Sequence, residues 1–259
     1  LIIGAGVSGL YQLYCLKQLG IRVRIYEAGE GVGGTWFWNR YPGARFDSES
    51  YSYAYSFSKE LLEEWDWREH YSGQPENEKY LNYVTDKFGL RPHIRCNARI
   101  RSARFDEAQN EWHIETEDGH QARARFLISA VGILSAHQFP NIRGVETFAG
   151  ESFHTARWPR EKVDLRGKRV GVIGTGSTAI QLIPEIAPEV GHLTVFQRTA
   201  NYACPLRNSP ITDAEQRDIK ARYDEIFARC RRTFASFMQE SDPRRTFDVS
   251  PEERLRFYE

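Results

Sequence analysis

The chain has 259 residues, enough for one large domain or two ordinary ones, and its hydrophobic fraction of 41% excludes a disordered chain. Lysine plus arginine and aspartate plus glutamate each number 35, so the zero net charge argues against nucleic acid or an anionic membrane as partner. The 4 cysteines form no C-x-x-C pair, which argues against a disulfide scaffold, a metal site such as a zinc ribbon, and a dithiol redox centre.

Both ends of the chain resemble interior parts of longer elements. Leu1 to Ile3 is typical of the end of a buried strand, and no initiator methionine or secretory signal precedes it. Residues 254–259 stop inside a helical pattern. The longest apolar run, Phe126 to Leu134, is too short to span a membrane. We expect a fragment of a longer cytoplasmic protein, truncated at both ends.

A strand, a glycine-rich turn, a helix and a second strand open the chain. The turn, G-A-G-V-S-G at residues 4–9, has the pattern G-x-G-x-x-G. In this pattern Gly4 permits the tight turn, Gly6 lets the backbone approach a pyrophosphate, and Gly9 lets helix and strand pack closely. The second strand ends in Glu27, whose carboxylate can accept hydrogen bonds from a ribose diol. The unit predicts an FAD-like site; the alternative is a glycine-rich turn with an ordinary surface glutamate.

The middle of the chain changes from loop to helix to strand. Residues 29–57 are rich in glycine and aromatic side chains and predict a long loop, which in a compact domain is usually functional. Ser58 can cap a helix, and Pro75 can open another. Residues 94–130 predict three strands, with a tight hairpin turn at Asp118-Gly119 and a buried strand from Phe126 to Ala130.

A second glycine turn, G-T-G-S-T-A at residues 174–179, follows a strand and opens a helix. Glu27 lies 23 positions after the first glycine of its own turn, and the same interval in the second unit ends at Gln197. The acid is thus replaced by an amide, followed by Arg198 and Thr199, which can pair with a 2′-phosphate. The second site therefore favours NADPH over NADH; the alternative is that Arg198 simply extends into solvent.

Two dinucleotide sites on one chain indicate hydride transfer from nicotinamide to flavin. Because no dithiol is present, the reduced flavin most simply passes its electrons to oxygen. The predicted fold class is α/β, with two Rossmann-like dinucleotide-binding domains, a small antiparallel β insertion and a C-terminal helical segment. The predicted parts are a partial FAD domain (1–140), a linker (141–166), a partial NADPH domain (167–208) and a partial helical insertion (209–259).

Two further motifs resemble those of a known enzyme family. F-A-G-E-S-F-H-T-A-R-W-P at residues 148–159 has the pattern F-x-G-x-x-x-H-x-x-x-W-P, and T-W-F-W-N-R-Y-P-G-A-R-F-D occupies residues 35–47. Together they resemble type I Baeyer–Villiger monooxygenases; related flavin-containing N- and S-oxygenases carry a similar stretch without Trp-Pro. The fingerprint residues are Phe148, Gly150, His154, Trp158 and Pro159.

The resemblance implies conversion of a ketone to an ester or lactone with FAD, NADPH and O2, through a C4a-peroxyflavin. It implies that Gly34, Thr35, Trp36, Trp38 and Tyr53 line the flavin, with Ile100 near the adenosine end, and that Arg45, Phe46 and Asp47 lie between flavin and nicotinamide. It further implies that Gly174, Thr175, Gly176, Ser177, Thr178, Ala179, Ile180 and Gln181 hold NADPH. Asp47 would be catalytic beside an arginine from a later stretch of the family's sequence, beyond residue 259.

Each of these roles has a structural alternative. The aromatic residues of the long loop could belong to a core. Asp47 could cap a short helix over residues 48–51. His154 and Trp158 could fix two domains against each other, which we favour over proton transfer. As whole functions, an N- or S-oxygenase and an inert nucleotide-binding module remain alternatives, and the ketone and the oligomeric state stay unassigned.

Overall fold

The computed structural model describes residues 1–201, 203–240 and 242–258. The chain divides into two compact units: the first consists of Leu1–Ala44 and Gln74–Arg166, and the second of Arg45–Gly73 and Gly167–Glu259. The predicted linker thus lies within the first unit. Arg45–Gly73, predicted as part of the FAD domain, lies in the second unit with the residues predicted to bind NADPH.

Runs of helices and runs of strands make up the chain, with a strand–helix–strand unit at residues 2–26 and another at residues 169–196. The helices are α1 (Val7–Gln18), α2 (Thr35–Trp38), α3 (Lys59–Glu64), α4 (Gln74–Lys87), α5 (Ser177–Ile186), α6 (Asp213–Ala221), α7 (Tyr223–Cys230) and α8 (Pro251–Tyr258). Short 3-10 helices lie at Ser50–Tyr53, Arg91–His93, Val145–Thr147 and Thr155–Arg157. The strands are β1 (Ile2–Ile3), β2 (Ile25–Tyr26), β3 (Ile94–Arg95), β4 (Ile100–Asp106), β5 (Glu111–Thr116), β6 (Gln121–Ala124), β7 (Ile128–Ser129), β8 (Arg169–Ile173) and β9 (His192–Phe196).

A parallel sheet with strand order β3-β2-β1-β7 forms the centre of the first unit. Ile2 and Ile25 pair across β1 and β2 and are fully buried, as expected where a parallel sheet is covered on its faces. Helix α1 connects these two strands and buries Leu10 and Leu13. This βαβ arrangement places the first glycine turn at the carboxyl end of β1, where open α/β sheets bind their ligands.

The antiparallel insertion of the first unit is confirmed. β4, β5 and β6 pair in that order, and the Asp118-Gly119 turn joins β5 to β6 with Gly119 at a φ of +81°. The buried strand predicted from Phe126 to Ala130 is wrong in its extent and its burial. Only Ile128–Ser129 pairs with β1, and the Phe126 side chain is 74% exposed because it precedes the paired residues.

The second unit contains a second βαβ arrangement. β8 and β9 pair in parallel, in register from Arg169↔His192 to Ile173↔Phe196. Helix α5 connects them and buries an apolar face that consists of Ala179, Leu182 and Ile186. Pro184 lies inside α5. The second glycine turn therefore lies at the carboxyl end of β8, as the first does at the end of β1.

The C-terminal helices form the hydrophobic core of the second unit. Ile219, Tyr223, Ile226 and Cys230 of α6 and α7 are buried in one cluster with Leu62 of α3. A capping box begins α6, since the Thr212 hydroxyl accepts from the Glu215 amide at 3.3 Å and the Glu215 carboxylate accepts from the Thr212 amide at 2.7 Å. The predicted α/β fold class, including its helical C-terminal segment, is confirmed.

Candidate functional site

The first glycine turn has a geometry that larger residues do not fit. Gly4 has a φ of +100°, and a Cβ built on it would lie 2.5 Å from the Ala130 carbonyl oxygen. A Cβ on Gly9 would overlap the carbonyl oxygen of Gly4. Gly6 is the N-cap residue of α1 and has no side-chain cap, so the first amides of the helix can bind an anion. The turn therefore has the shape that a pyrophosphate site requires.

Glu27 closes this turn from the end of β2. Its carboxylate accepts from the Ala5 amide at 2.6 Å and from the Gly29 amide at 2.7 Å, and the residue is only 5% exposed. Each carboxylate oxygen retains a second lone pair, so these bonds leave capacity for a diol. The assignment of Glu27 to a ribose stays a prediction.

The aromatic loop is attached to the same turn. The Gly33 amide donates to the Ala5 carbonyl at 3.0 Å, and a Cβ on Gly34 would lie 2.8 Å from the Gly6 Cα. Thr35 begins α2, in which Trp36 is buried. The prediction that residues 29–57 lack regular structure is wrong, because α2 and the 3-10 helix Ser50–Tyr53 lie within them. The alternative that some of these aromatics belong to a core is correct for Trp36.

The fingerprint segment contacts the aromatic loop through two arginines that the sequence analysis did not identify. The Arg157 guanidinium lies 4.4 Å from the centre of the Trp38 ring, and that of Arg160 lies 4.6 Å from the centre of the Phe37 ring. Arg160 also pairs with Glu30 at 2.5 Å. The signal available in the sequence was the position of both arginines beside Trp158-Pro159, together with the aromatic residues of the loop as possible partners.

His154 and Trp158 have structural contacts within the fingerprint segment. His154 Nδ1 accepts from the Ala156 amide at 3.1 Å and caps the 3-10 helix Thr155–Arg157. Burial lowers the pKa of His154, and the positive charges of His137 and Arg157 add to this effect. The rings of Trp158 and Phe153 lie 5.6 Å apart. The hydrogen bond favours the neutral imidazole, since its Nδ1 acts as an acceptor. A role of His154 and Trp158 in fixing two domains against each other stays a prediction.

The other fingerprint residues, Phe148, Gly150 and Pro159, lie in the same part of the first unit. A Cβ on Gly150 would lie 2.7 Å from the Phe148 ring, so glycine allows that ring to pack over the backbone. Ile100, predicted near the adenosine end of the flavin, begins β4 and is half-buried. Its contact with a cofactor stays a prediction.

The second glycine turn repeats the first. Gly174 has a φ of +101°, and its amide donates to the carbonyl of Phe196, the last residue of β9, at 2.9 Å. Gly176 is the N-cap residue of α5, and a Cβ built on it would meet no described atom within 4 Å. Ala179 occupies the place of the third glycine and is buried. Ser177, Thr178 and Ile180 follow in the first turns of α5, with Ser177 and Ile180 exposed and Thr178 half-buried.

Gln197 occupies the position that Glu27 has in the first unit. Each residue follows the second strand of its unit and binds the residue after the first glycine: Gln197 Nε2 donates to the Thr175 hydroxyl at 3.0 Å. Arg198 and Thr199 come next and are exposed. The sequence register is therefore confirmed in three dimensions, although a contact with a 2′-phosphate stays a prediction.

The residues around Asp47 are brought together in the second unit. Gln181 Nε2 donates to Asp47 Oδ1 at 2.5 Å and to the Arg45 carbonyl at 3.1 Å. The rings of Phe46 and Tyr53 lie 4.1 Å apart. The alternative that Asp47 caps a helix is wrong, because the 3-10 helix begins at Ser50 and Glu49 is its N-cap residue.

The Arg45 guanidinium is held by an acid and a backbone carbonyl of the second unit. It donates to the Glu69 carboxylate at 3.1 Å and to the Tyr71 carbonyl at 3.0 Å. Asn208 donates to the same carboxylate at 2.6 Å and accepts from the Tyr71 amide at 3.0 Å. This network fixes, from one side, the segment that leads into Asp47.

A metal site and a membrane-spanning helix are two further features that the described ranges of the chain could hold. Within them, no group of three or more His, Cys, Asp or Glu side chains could hold a metal ion. None of the helices in those ranges has both the length and the hydropathy needed to cross a membrane. Cys15, Cys96, Cys204 and Cys230 are free thiols.

Known proteins resemble the chain over nearly its whole length. The model of the FMO-like family, described as flavin-binding monooxygenase-like, matches residues 1–206. Acetone monooxygenase (methyl acetate-forming) of Gordonia sp. (strain TY-5) is 46% identical over 98% of the chain, and phenazine N-monooxygenase of Lysobacter antibioticus is 42% identical over 100%. The crystal structure of OTEMO in complex with FAD and NADP matches 99% of the chain with a TM-score of 0.92 and 46% identity. The chain spans about half the length of these proteins: 47%, 48% and 49%.

Proposed function

The chain belongs to the flavin-binding monooxygenase-like family, and from this premise we propose that the whole protein inserts one oxygen atom of O2 into a ketone. The product is an ester or lactone, as with the methyl acetate-forming relative. The similarity to Baeyer–Villiger monooxygenases that the motifs indicate is confirmed by relatives of 42% to 46% identity. The repeated glycine turn carries the proposal, since one copy ends in Glu27 and the other in Gln197-Arg198. We place the activity in the cytoplasm, where free thiols stay reduced.

The first glycine turn fits the pyrophosphate and ribose of FAD. The backbone groups of Gly6 and Gly34 approach each other too closely to admit a side chain on Gly34, so the loop and the turn form one continuous backbone surface. The amides that begin α1 would bind the pyrophosphate, and the free lone pairs of Glu27 would accept from the ribose diol. When bound, FAD supplies the capacity to accept a hydride from NADPH and to activate O2.

The second glycine turn fits NADPH. The open space beside Gly176 leaves room for a pyrophosphate at the N-terminus of α5. The exposed Arg198 and Thr199 follow Gln197, and no carboxylate stands in this position to repel a 2′-phosphate. The residues of this chain would thus bind and orient the reduced nicotinamide dinucleotide with its phosphate on Arg198.

Asp47 would act by orienting a cation in the reaction centre. An exposed carboxylate repels an oxygen anion but can hold and balance a guanidinium that stabilises one. Gln181 Nε2 donates to Oδ1 of Asp47, and a carboxylate has about four lone-pair sites. Asp47 therefore retains acceptor capacity for such a partner while its own position is fixed.

The proposed function is tested with the full-length protein. We expect a stoichiometric flavin spectrum that NADPH bleaches in the absence of oxygen, and ester or lactone formation from a ketone when oxygen is admitted. Gas chromatography measures the product while NADPH oxidation is followed in parallel. A colourless protein that binds no FAD would instead support an inert nucleotide-binding module.

Arg198→Ala should weaken the use of NADPH far more than that of NADH. Loss of a charge-assisted bond to the 2′-phosphate lowers kcat/KM for NADPH by roughly tenfold to a hundredfold. Arg169→Ala, which removes the same charge from the exposed start of β8, is the matched control and should change neither value. Equal losses for both cofactors in the Arg198 variant would contradict the assignment.

An N-oxygenase is the second candidate function. It is favoured by the 42% identity to a phenazine N-monooxygenase, which matches the chain as completely as the ketone oxygenases do. The Trp158-Pro159 ending of the fingerprint favours ketone oxygenation instead. Parallel assays with a ketone and with a heteroaromatic amine decide between them, since N-oxide formation without ester formation would establish the second candidate.

A further inference from the structure

Gln181 connects helix α5 to the segment of residues 45–47, which ends at Asp47. Its Oε1 accepts from the Arg45 amide at 3.3 Å, while its Nε2 donates to the Arg45 carbonyl at 3.1 Å and to Asp47 Oδ1 at 2.5 Å. Gln181 and Asp47 are 134 positions apart in the sequence. One side chain thus binds both backbone groups of Arg45 and the carboxylate two residues later.

The partners allow only one orientation of the Gln181 amide. The Asp47 carboxylate and the Arg45 carbonyl only accept, so Nε2 must face both, and the Arg45 amide only donates, so Oε1 must face it. Both N–H groups of Nε2 are then used. Gln181 was predicted to hold NADPH, but its donors are directed to Arg45 and Asp47 instead.

The opposite side of the segment 45–47 is fixed by backbone hydrogen bonds. The Phe46 amide donates to the Ser72 carbonyl at 2.9 Å, and Arg45 forms a bridge with Gly73. These bonds hold the backbone but do not reach the Asp47 side chain. Among the described residues, the Gln181 amide is the group that holds this carboxylate.

We propose that Gln181 is a positioning residue that holds the Asp47 carboxylate in its working orientation and fixes it to the helix that begins at the second nucleotide site. The proposal rests on the proposed function, because it takes Asp47 as the residue that acts. Gly176, the N-cap residue of α5, and Gln181 belong to the same short helix. A dinucleotide bound at the start of α5 and the Asp47 carboxylate therefore share one rigid support.

Two substitutions separate the accepting and the donating arms of Gln181. Gln181→Glu keeps an oxygen for the Arg45 amide but replaces the donor that faces Asp47 with a second carboxylate. Gln181→Met removes both arms with little change in volume. Gln109→Glu, in the exposed turn after β4, adds the same charge in the first unit and is the matched control.

Hydrogen exchange of the unloaded protein tests the contact without catalysis. In Gln181→Met the Arg45 amide should exchange at least about tenfold faster, because it loses its acceptor. The Phe46 amide keeps its bond to Ser72 and is the internal reference. In Gln181→Glu the Arg45 amide should stay protected. Unchanged exchange of Arg45 in Gln181→Met, with the variant folded by its thermal transition, would overturn the contact.

Turnover of the full-length holoenzyme tests the positioning role. We expect both variants to lose about tenfold to a hundredfold in kcat near neutral pH, with a smaller change in KM and with flavin still bound. Gln181→Glu should recover as the pH is lowered, because the protonated carboxyl again donates an O–H to Asp47, whereas Gln181→Met should not. A merely structural role would give equal losses at all pH values in both variants, and full activity in Gln181→Met would overturn the proposal. A wild-type protein without oxygenase activity would refute the proposed function and the positioning role, while the exchange result would still decide the contact.

Discussion

Replacement of Asp47 by alanine in the full-length protein is expected to slow ketone oxygenation by about a hundredfold to a thousandfold. In the proposed function the carboxylate orients and balances a cation that stabilises developing negative charge, and alanine removes that charge. FAD should remain bound, because the first glycine turn and Glu27 lie in the first unit. Ester formation and the flavin spectrum, measured on the same sample, give the two readouts.

Two further variants show whether charge or geometry is responsible. Asp47→Asn keeps an oxygen that can accept from Gln181 but removes the charge, so it should be nearly as slow as alanine. Asp224→Ala, in the exposed first turn of α7, removes an acid from the same unit and should leave the rate unchanged. Undiminished turnover of Asp47→Ala would reduce Asp47 to a structural partner of Gln181.

Gly9→Ala is expected to destabilise the first unit by about 3 kcal/mol and to abolish stoichiometric flavin binding. The added Cβ would overlap the Gly4 carbonyl oxygen, so α1 would have to move away from the turn that it shares with the predicted pyrophosphate site. Chemical denaturation followed by fluorescence measures the free energy of unfolding, and the flavin spectrum measures the bound cofactor.

Gly176→Ala is the matched control in the second unit. Its Cβ would meet no described atom within 4 Å, and its φ of −73° suits any residue, so the loss of stability should stay below about 1 kcal/mol. NADPH binding should weaken, since the methyl group enters the space beside the predicted pyrophosphate. If Gly9→Ala also lost less than about 1 kcal/mol of unfolding free energy, the overlap at Gly9 would be relieved at little cost and the prediction would be wrong.

The parts of the site that depend on local sequence were predictable. A glycine with positive φ after an apolar strand is required by the turn itself, so both turns could be located from spacing alone. The same spacing identified Gln197 as the counterpart of Glu27, because each residue directly follows the second strand of its βαβ unit. These features involve residues close together along the chain.

The parts that depend on distant residues were not predictable. The contacts of Arg157 with Trp38 and of Gln181 with Asp47 join segments more than a hundred positions apart, and no local pattern marks them. The helix-cap alternative for Asp47 failed because the 3-10 helix begins at Ser50, so Glu49 and not Asp47 is its N-cap residue. The Phe126 prediction failed for a related reason: apolar character alone does not show where pairing with β1 begins.

The second unit is formed by two segments that are far apart in the sequence, and this has a consequence for synthesis on the ribosome. Arg45–Gly73 leaves the ribosome before the rest of its unit, and the 93 residues of Gln74–Arg166 must follow before Gly167 appears. At translation rates of about 5–20 residues per second, that interval is roughly 5–20 s. During it Leu62 has none of its later partners, Ile219 and Tyr223, and its apolar surface stays in contact with water. The nascent chain therefore presents a temporary binding segment for chaperones, which disappears when the C-terminal helices arrive.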